Sequence, residues 1–253
     1  MARDVAGTAA GEGAQAVGVV AGAGEGAVAV GGAGRAAALS GAPFVGRVRD
    51  LVLSLQHPLT YTLGERREKA ERNLLASDAE LRALGVELHH TERGSDVTFH
   101  GPWQAVLYPV LSLRALGLGT WRYVEGLESA MIQVAALHGV SARPGDPGET
   151  RVWVGNCKIG AIEVRISSGF TCHGLAFNID PDLGYFEHIV PCGIAGKGVT
   201  SLRREVGGGE LPADGVIHDQ LVQCLATTLG FTNVEFKDDS ERGDLIGVAA
   251  TQS

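Results

Sequence analysis

The order of elements predicts an α/β (α+β) protein with a mixed central sheet flanked by helices. Three observations carry that reading. Short apolar, β-branched runs recur from residue 43 onward, one stretch after Thr120 has a strong helical period, and a second amphipathic stretch closes the domain. Spans 51–55 and 59–63, separated by His57-Pro58, read as strands or strand-turn pieces. Ser77 followed by Glu80 is a capping box that opens a short helix over 78–84, stopped by Gly85. Span 86–91 alternates as a strand, and 104–113 is apolar enough to be a buried one. In the main helix Val124, Leu127, Met131, Val134 and His138 recur at three or four residues, with Gly139 as the stop. Spans 152–154 and 159–166 read as strands, and 216–229 as the late helix.

The chain has 253 residues, 45% of them apolar, with 21 Lys plus Arg against 29 Asp plus Glu. A formal charge of -8 argues against nucleic acid or an anionic membrane surface as the main partner. No uninterrupted apolar run approaches the ~20 residues of a membrane-spanning helix. Cys157, Cys172, Cys192 and Cys224 form no C-x-x-C pair, and a chain this long needs no disulfide staples, so they read as free thiols in a reducing compartment. Residues 1–42 hold 15 Ala and 11 Gly, which leaves little side chain to pack, and they read as a disordered leader ahead of one domain over 43–253. Two Arg, one Ser and three acids make that leader an atypical transit peptide. Gly22, Gly24 and Ala27 imitate a dinucleotide fingerprint, but in so Gly-rich a tract the match is expected by chance. Gly196-Lys197-Gly198 fails the phosphate-loop pattern, with Pro191 and Gly198 at positions that need Gly and Ser or Thr. No cysteine or histidine spacing matches a usual zinc pair.

Three segments concentrate reactive residue types: RGSDVTFHGP over 93–102, CKIGAIEVRISSGFTCHGLAFN over 157–178, and FEHIVPCGIAGKGVTSL over 186–202. Cys192 lies between Pro191, which fixes the backbone, and Gly193, which permits close approach, a setting for a displayed thiol rather than a packed one. An unassisted thiol is only slightly ionised at neutral pH, so a nucleophile needs a neighbouring cation or base. On chemistry alone Lys158, one of four lysines, and His188 both qualify.

In this order the segments resemble the octanoyltransferase family of lipoate biosynthesis, the lipoyl(octanoyl) transferases, over roughly 51–236. The blocks are R-G-x-x-x-T-F-H-G-P, K-I-x-x-I, H-G-L-A-x-N and P-C-G, and the organellar enzymes of land plants look closest. The resemblance implies the fold of the biotin and lipoate protein ligases. It also implies transfer of an octanoyl group from octanoyl-acyl carrier protein to a lysine of lipoyl domains, those of the 2-oxoacid dehydrogenase complexes and the glycine cleavage H protein. By the same resemblance Cys192 takes the acyl chain as a thioester, and Lys158 lowers its pKa and shuttles the proton, with no metal or other cofactor. Acyl contacts map to Arg93, Gly94, Ser95, Asp96, Val97, Thr98, Phe99 and His100, to Ala161, Ile162 and Glu163, and to Gly174, Leu175 and Ala176. The implied address is mitochondrial, with the plastid as alternative.

Ser95, Trp103 and Glu163 depart from the family, each standing where glycine is usual, and add bulk near the expected acyl contacts. They support an alternative, a catalytically impaired member that binds carrier protein or lipoyl domains without turnover. A lipoate ligase of the same superfamily would instead bind ATP. Strict alternation along 158–166 would set Lys158 with Gly160, Ile162 and Val164 on one face and Glu163 with Ala161 and Arg165 on the other. Glu163 would then either pair at the surface or line the acyl tunnel as an unpaired, costly carboxylate, whose replacement by glycine is expected to raise the rate of transfer.

Overall fold

The computed structural model describes residues 34–40, 50–65, 67–91, 93, 96–146, 149–190 and 197–237. Its centre is a sheet built from β1 (Gly34–Ser40), β2 (Asp50–Leu55), β6 (Gln104–Val110), β7 (Arg143–Pro144), β8 (Arg151–Val154), β9 (Cys157–Ser167), β10 (Phe170–Asn178), β11 (Gly198–Val199) and β12 (Asn233–Lys237). Spatial order is β12-β1-β2-β6-β10-β9-β8-β7, every neighbouring pair antiparallel, and β11 joins β9 in parallel. A second sheet of β3 (Thr60–Leu63), β4 (Glu87–His90) and β5 (Val97–His100) runs β4-β3-β5, with β3 and β4 parallel.

Helix α4 (Thr120–Leu137) forms where the periodicity placed it and ends before Gly139, whose positive φ of 75° suits glycine at a helix stop. It buries Tyr123, Val124, Leu127, Met131 and Val134, and α6 (Asp214–Thr228) buries Ile217, Leu221, Val222 and Leu225 beside it. Both cover one face of the large sheet, in a common core with Val52, Leu107, Ile159, Ile162, Leu175 and Phe177. His138, expected on the buried stripe, instead caps α4 and hydrogen-bonds Gln220, because the stripe has rotated past it by the last turn.

The small sheet has its own core of Tyr61, Leu63, Val97, Phe99, Phe186 and Ile189, closed by α1 (Arg67–Asn73) and α2 (Asp78–Ala83). The capping box of α2 forms as expected, Ser77 and Glu80 each accepting from the other's backbone N–H. Short helices α3 (Leu113–Leu116) and α5 (Leu202–Val206) join them, and α3 takes up Leu113, so the strand expected over 104–113 ends at Val110.

The expected boundary of the leader at residue 42 needs correction. Gly34–Ser40 is a strand between β2 and β12, so these residues belong to the fold. Backbone ladders on both sides hold it, which explains how a run of alanines joins the sheet, and Ala37 and Leu39 point into the core. Residues 1–33 and 41–42 lie outside the described residues.

Candidate active site

On the face away from α4 and α6, Leu53 and Leu55 of β2, Val106 of β6 and Ala176 of β10 form an apolar floor, with Leu51 and Tyr108 packed against it. The small sheet stands across from it, and between the two lies a cleft. Its walls are Ala161 and Glu163 of β9, Gly174, Leu175 and Ala176 of β10, Val106 and Tyr108 of β6, and Arg93, Thr98 and His100 from the small-sheet side, with His173. Eight of the expected acyl-contact residues thus meet in one place.

Strand alternation explains which of the others do not. Thr98 and His100 face the cleft, so Val97 and Phe99 point into the small sheet's core, while Ile162 points to the helices. Asp96 is a buried brace: its carboxylate accepts from the Val97 N–H at 2.9 Å and the Asn73 amide at 2.6 Å and faces Lys69 at 3.6 Å. Gly94, Ser95 and Cys192 lie outside the described residues.

The strict alternation along β9 is broken. Val152 pairs with Gly160, but its neighbour Trp153 pairs with Lys158, so Ile159 is an extra residue in a β-bulge. Successive residues of β8 point to opposite faces and cross-strand partners share one, so Lys158 lies on the Trp153 face, opposite Gly160. That is the face of Ala161 and Glu163. The expectation that Lys158 and Glu163 lie on opposite faces is therefore corrected, for a bulge that residue types alone do not mark. Lys158 is 6% exposed, and its carbonyl accepts from Thr200 N at 2.9 Å, which ties the strand to the segment leaving β11. Lys197 lies over the Trp153 ring, its Nζ 4.5 Å from the centroid.

Glu163 is 11% exposed at its side chain and forms an ion pair with Arg93 Nη1 across the cleft. Neither sequence alternative anticipated this, because it lines the cleft and is paired there. Arg93 also donates from Nε to Thr62 Oγ1 at 3.0 Å and from Nη2 to the carbonyls of Thr62 and Asp96 at 2.6 and 2.7 Å. Burial pushes the Glu163 carboxyl above its usual range, against the pull of Arg93 and then of Lys158 and Arg151. Removing the carboxylate would leave a buried guanidinium short of its counter-charge, so Glu163→Gly is no longer expected simply to relieve a misplaced charge.

Trp103 has φ 63°, the left-handed region where glycine is favoured, which accounts for glycine being usual there. Its carbonyl accepts from Ile179 N and Asp180 N at 3.1 and 3.0 Å, and its own N–H donates to Gln56 Oε1 at 2.6 Å. The residue is 53% exposed and absent from the cleft wall, so its bulk does not enter the cleft.

Beside the expected His100, the site holds two histidines to which the sequence assigns no role, His57 and His173. His57 Nε2 and the Tyr108 hydroxyl hydrogen-bond at 2.7 Å, His57 and His100 have ring centroids 5.3 Å apart, and His173 meets the Tyr108 ring edge-on. Burial holds all three imidazoles neutral, with His100 lowered to about 3 and His57 and His173 to about 4. His89 assists at His57, chiefly His57 at His100, and Arg93 at His173. The neutral His100 ring and the Gln104 carbonyl hydrogen-bond at 2.7 Å. Because these folded pKa values lie below the ordinary 6.5, the unfolded chain takes up protons first as pH falls. Their stabilisation is whole above pH 6.5 and is lost from there down to about 4. Replacing His100 by Asn should flatten stability against pH over that window by roughly 2 kcal/mol or more, as measured by urea unfolding from pH 7 to 4.5. Parallel curves for the two proteins would assign the acid sensitivity elsewhere.

Gly174 marks the closest approach of β10 to β6, where a Cβ would stand 2.1 Å from the Leu107 carbonyl oxygen and 2.6 Å from Pro109 Cδ. At Gly160 the corresponding neighbour is the Met131 sulfur at 2.5 Å, the end of a flexible side chain. Gly174→Ala should accordingly cost about 2–3 kcal/mol and lower Tm by roughly 5–10 °C, whereas Gly160→Ala should cost about 1 kcal/mol. Thermal melts of both variants decide this, and equal losses would remove the distinction between backbone and side-chain crowding.

These features, a two-sheet cleft with a buried lysine and helices behind it, define a class found among solved structures. Lipoate-protein ligase A bound with ATP superposes with a TM-score of 0.61 at 15% identity, over 76% of this chain and 78% of that one. A structure described as a bi-partite lipoate protein ligase and its E2 lipoyl domain from Thermoplasma acidophilum gives 0.55 at 15% identity over 76% of each chain. At such identities the likeness is one of fold. Sequence carries it further: residues 43–229 match the lipoyl protein ligase A/B catalytic domain. The mitochondrial octanoyltransferase LIP2 of Arabidopsis thaliana is 60% identical over 193 residues, 76% of this chain and 81% of that protein. An octanoyltransferase of Chloroflexus aggregans is 45% identical over 183 residues, 71% and 80% of the two chains. The chain belongs to the octanoyltransferases of the lipoyl protein ligase A/B family and is an acyltransferase.

Proposed function

We propose that this acyltransferase takes octanoyl from the phosphopantetheine thioester of acyl carrier protein, holds it as a thioester on Cys192, and passes it to a lysine amine of a lipoyl domain. The observation that carries the reading is the cleft itself: small residues, Ala161, Gly174 and Ala176, line it along β9 and β10, and the buried Lys158 shares their face of β9. In the first step the Cys192 thiolate attacks the thioester carbonyl, a new C–S bond forms, and the carrier thiol leaves with a proton. In the second the acceptor amine attacks, the C–N bond forms, the bond to Cys192 breaks, and the amine proton passes through Lys158 to the departing sulfur or solvent. Thioester exchange is nearly balanced, and the amide makes the second step downhill.

The impaired alternative drew on Ser95, Trp103 and Glu163. Trp103 lies outside the cleft and so adds no bulk there, while Glu163 lines the cleft and is paired to Arg93. A mitochondrial address is consistent with the relative from Arabidopsis thaliana. Lipoyl domains of 2-oxoacid dehydrogenase complexes and the glycine cleavage H protein are the acceptors to try. Incubation with octanoyl-acyl carrier protein and a lipoyl domain should add the mass of one octanoyl group to the acceptor lysine. A protein that binds both partners yet leaves the acceptor mass unchanged would instead be the non-catalytic binder.

A further inference from the structure

Two buried amides stand behind the cleft, and neither has a part in the chemistry above. Gln104, the first residue of β6, and Asn178, the last of β10, are cross-strand partners, 2% and 3% exposed. They belong to a chain of hydrogen bonds that starts at a backbone carbonyl. Asn178 Nδ2 donates to the Thr200 carbonyl at 3.0 Å, so its Oδ1 is the atom turned to Gln104. Gln104 Nε2 donates to that Oδ1 at 2.9 Å and to the Phe99 carbonyl at 3.3 Å, which leaves Oε1 facing His100. An amide oxygen only accepts, so His100 Nδ1 carries the proton of the 2.7 Å bond between them.

A carbonyl three hydrogen bonds away thus selects the tautomer of a ring in the cleft wall. The ring is neutral, its pKa lowered to about 3 by burial and by His57, against the Gln104 bond, with Arg93 and His173 adding to the fall. Tyr108 and Glu163 are the other titratable groups in the cleft wall among the described residues. Nε2, across the ring from Nδ1, therefore holds a lone pair, and among the described residues no group donates to it. His100 lines the cleft with Val106, Ala161, Leu175 and Ala176. An acyl chain seated there displaces water from this nitrogen and has no N–H or O–H of its own to offer, which leaves an acceptor to be satisfied by another part of a substrate.

We propose that the Asn178–Gln104 relay holds His100 Nε2 as a hydrogen-bond acceptor for a substrate N–H, either an amide of the pantetheine arm or the amine of the acceptor lysine. The proposal rests on the acyl-transfer reading and gives His100, expected as an acyl contact, a polar task, with Gln104 and Asn178 as positioning residues.

The test compares wild type, His100→Asn and Gln104→Glu. Asparagine keeps a donor to Gln104 and drops the acceptor in the cleft. Glutamate still accepts from Nδ1, but its charge raises the His100 pKa, and a protonated ring turns Nε2 into a donor. Nitrogen-15 in the histidine rings reports the tautomer, and the signal lost in His100→Asn identifies His100. The wild type should show a protonated Nδ1 and a bare Nε2 from pH 8 to 5.5. Loading from octanoyl-acyl carrier protein and release to a lipoyl domain are timed separately. His100→Asn should slow loading at least tenfold where the pantetheine amide is the donor, and release at least tenfold where the lysine amine is. In Gln104→Glu the same step should be at least fivefold more impaired at pH 6 than at pH 8.5, a titration that a structural defect does not produce. The wild-type spectrum and His100→Asn decide the matter should Gln104→Glu not fold. A proton on Nε2 in the wild type, or both steps within threefold of wild type in folded His100→Asn, would overturn the proposal and keep the transfer reading. A wild type with the expected tautomer that loads no octanoyl, yet binds octanoyl-pantetheine at least tenfold more tightly than His100→Asn does, would overturn the transfer reading and keep the acceptor.

Discussion

Cys192→Ala should lose both the octanoyl adduct and octanoyl transfer, a fall of about 10⁴-fold or more, while Cys157→Ala, Cys172→Ala and Cys224→Ala keep them. The contrast rests on where the other three thiols sit. Each is half-buried, and burial pushes the thiols of Cys172 and Cys224 above the ordinary range, away from the thiolate that reacts. Cys157 stands next to Lys158 on β9, but it pairs with Val154 and so faces away from the Trp153 and Lys158 side. An adduct that survives in Cys192→Ala and disappears in Cys157→Ala would move the nucleophile to the strand.

Lys158→Met should reduce transfer by about 10²–10⁴-fold, the range lost with a positioned proton carrier. The same change should shift the pH profile of Cys192 alkylation upward, toward the ~8.5 of an unassisted thiol. The two readouts separate a chemical role from a structural one. Lys158 lies on the face of β9 that carries Ala161 and Glu163, and an ammonium there favours a thiolate brought beside it. Methionine keeps the length and apolar stem of the side chain, so the strand should remain in place. Coincident alkylation profiles for wild type and variant would leave Lys158 as a buried structural cation and break the proposed pair.

Much of this arrangement is legible in the residues. Apolar period and stop residues locate α4 and α6, Ser77 and Glu80 locate α2, and the ordered blocks bring Arg93, Thr98, His100, Ala161, Glu163, Gly174, Leu175 and Ala176 to one cleft. What escaped depends on contacts distant in the chain. An alanine run becomes β1 because β2 and β12 flank it, and no local propensity signals that. Glu163 finds Arg93 from another sheet, and His57 and Tyr108 meet across 51 residues of sequence. The bulge at Ile159 is the most consequential of these. Alternation is a property of an unbroken ladder, and one unpaired residue transfers Lys158 to the other face.

The central claim is a thioester carried by the enzyme between two partner proteins, and single turnover of the isolated acyl-enzyme tests it most directly. Protein treated with octanoyl-acyl carrier protein, freed of donor and mixed with a lipoyl domain, should lose one octanoyl mass from the Cys192 peptide as the acceptor lysine gains it, at a rate no slower than steady-state turnover. An adduct that persists on Cys192 while transfer proceeds only when donor is present would contradict the account, and would mean that donor and acceptor react directly in the cleft.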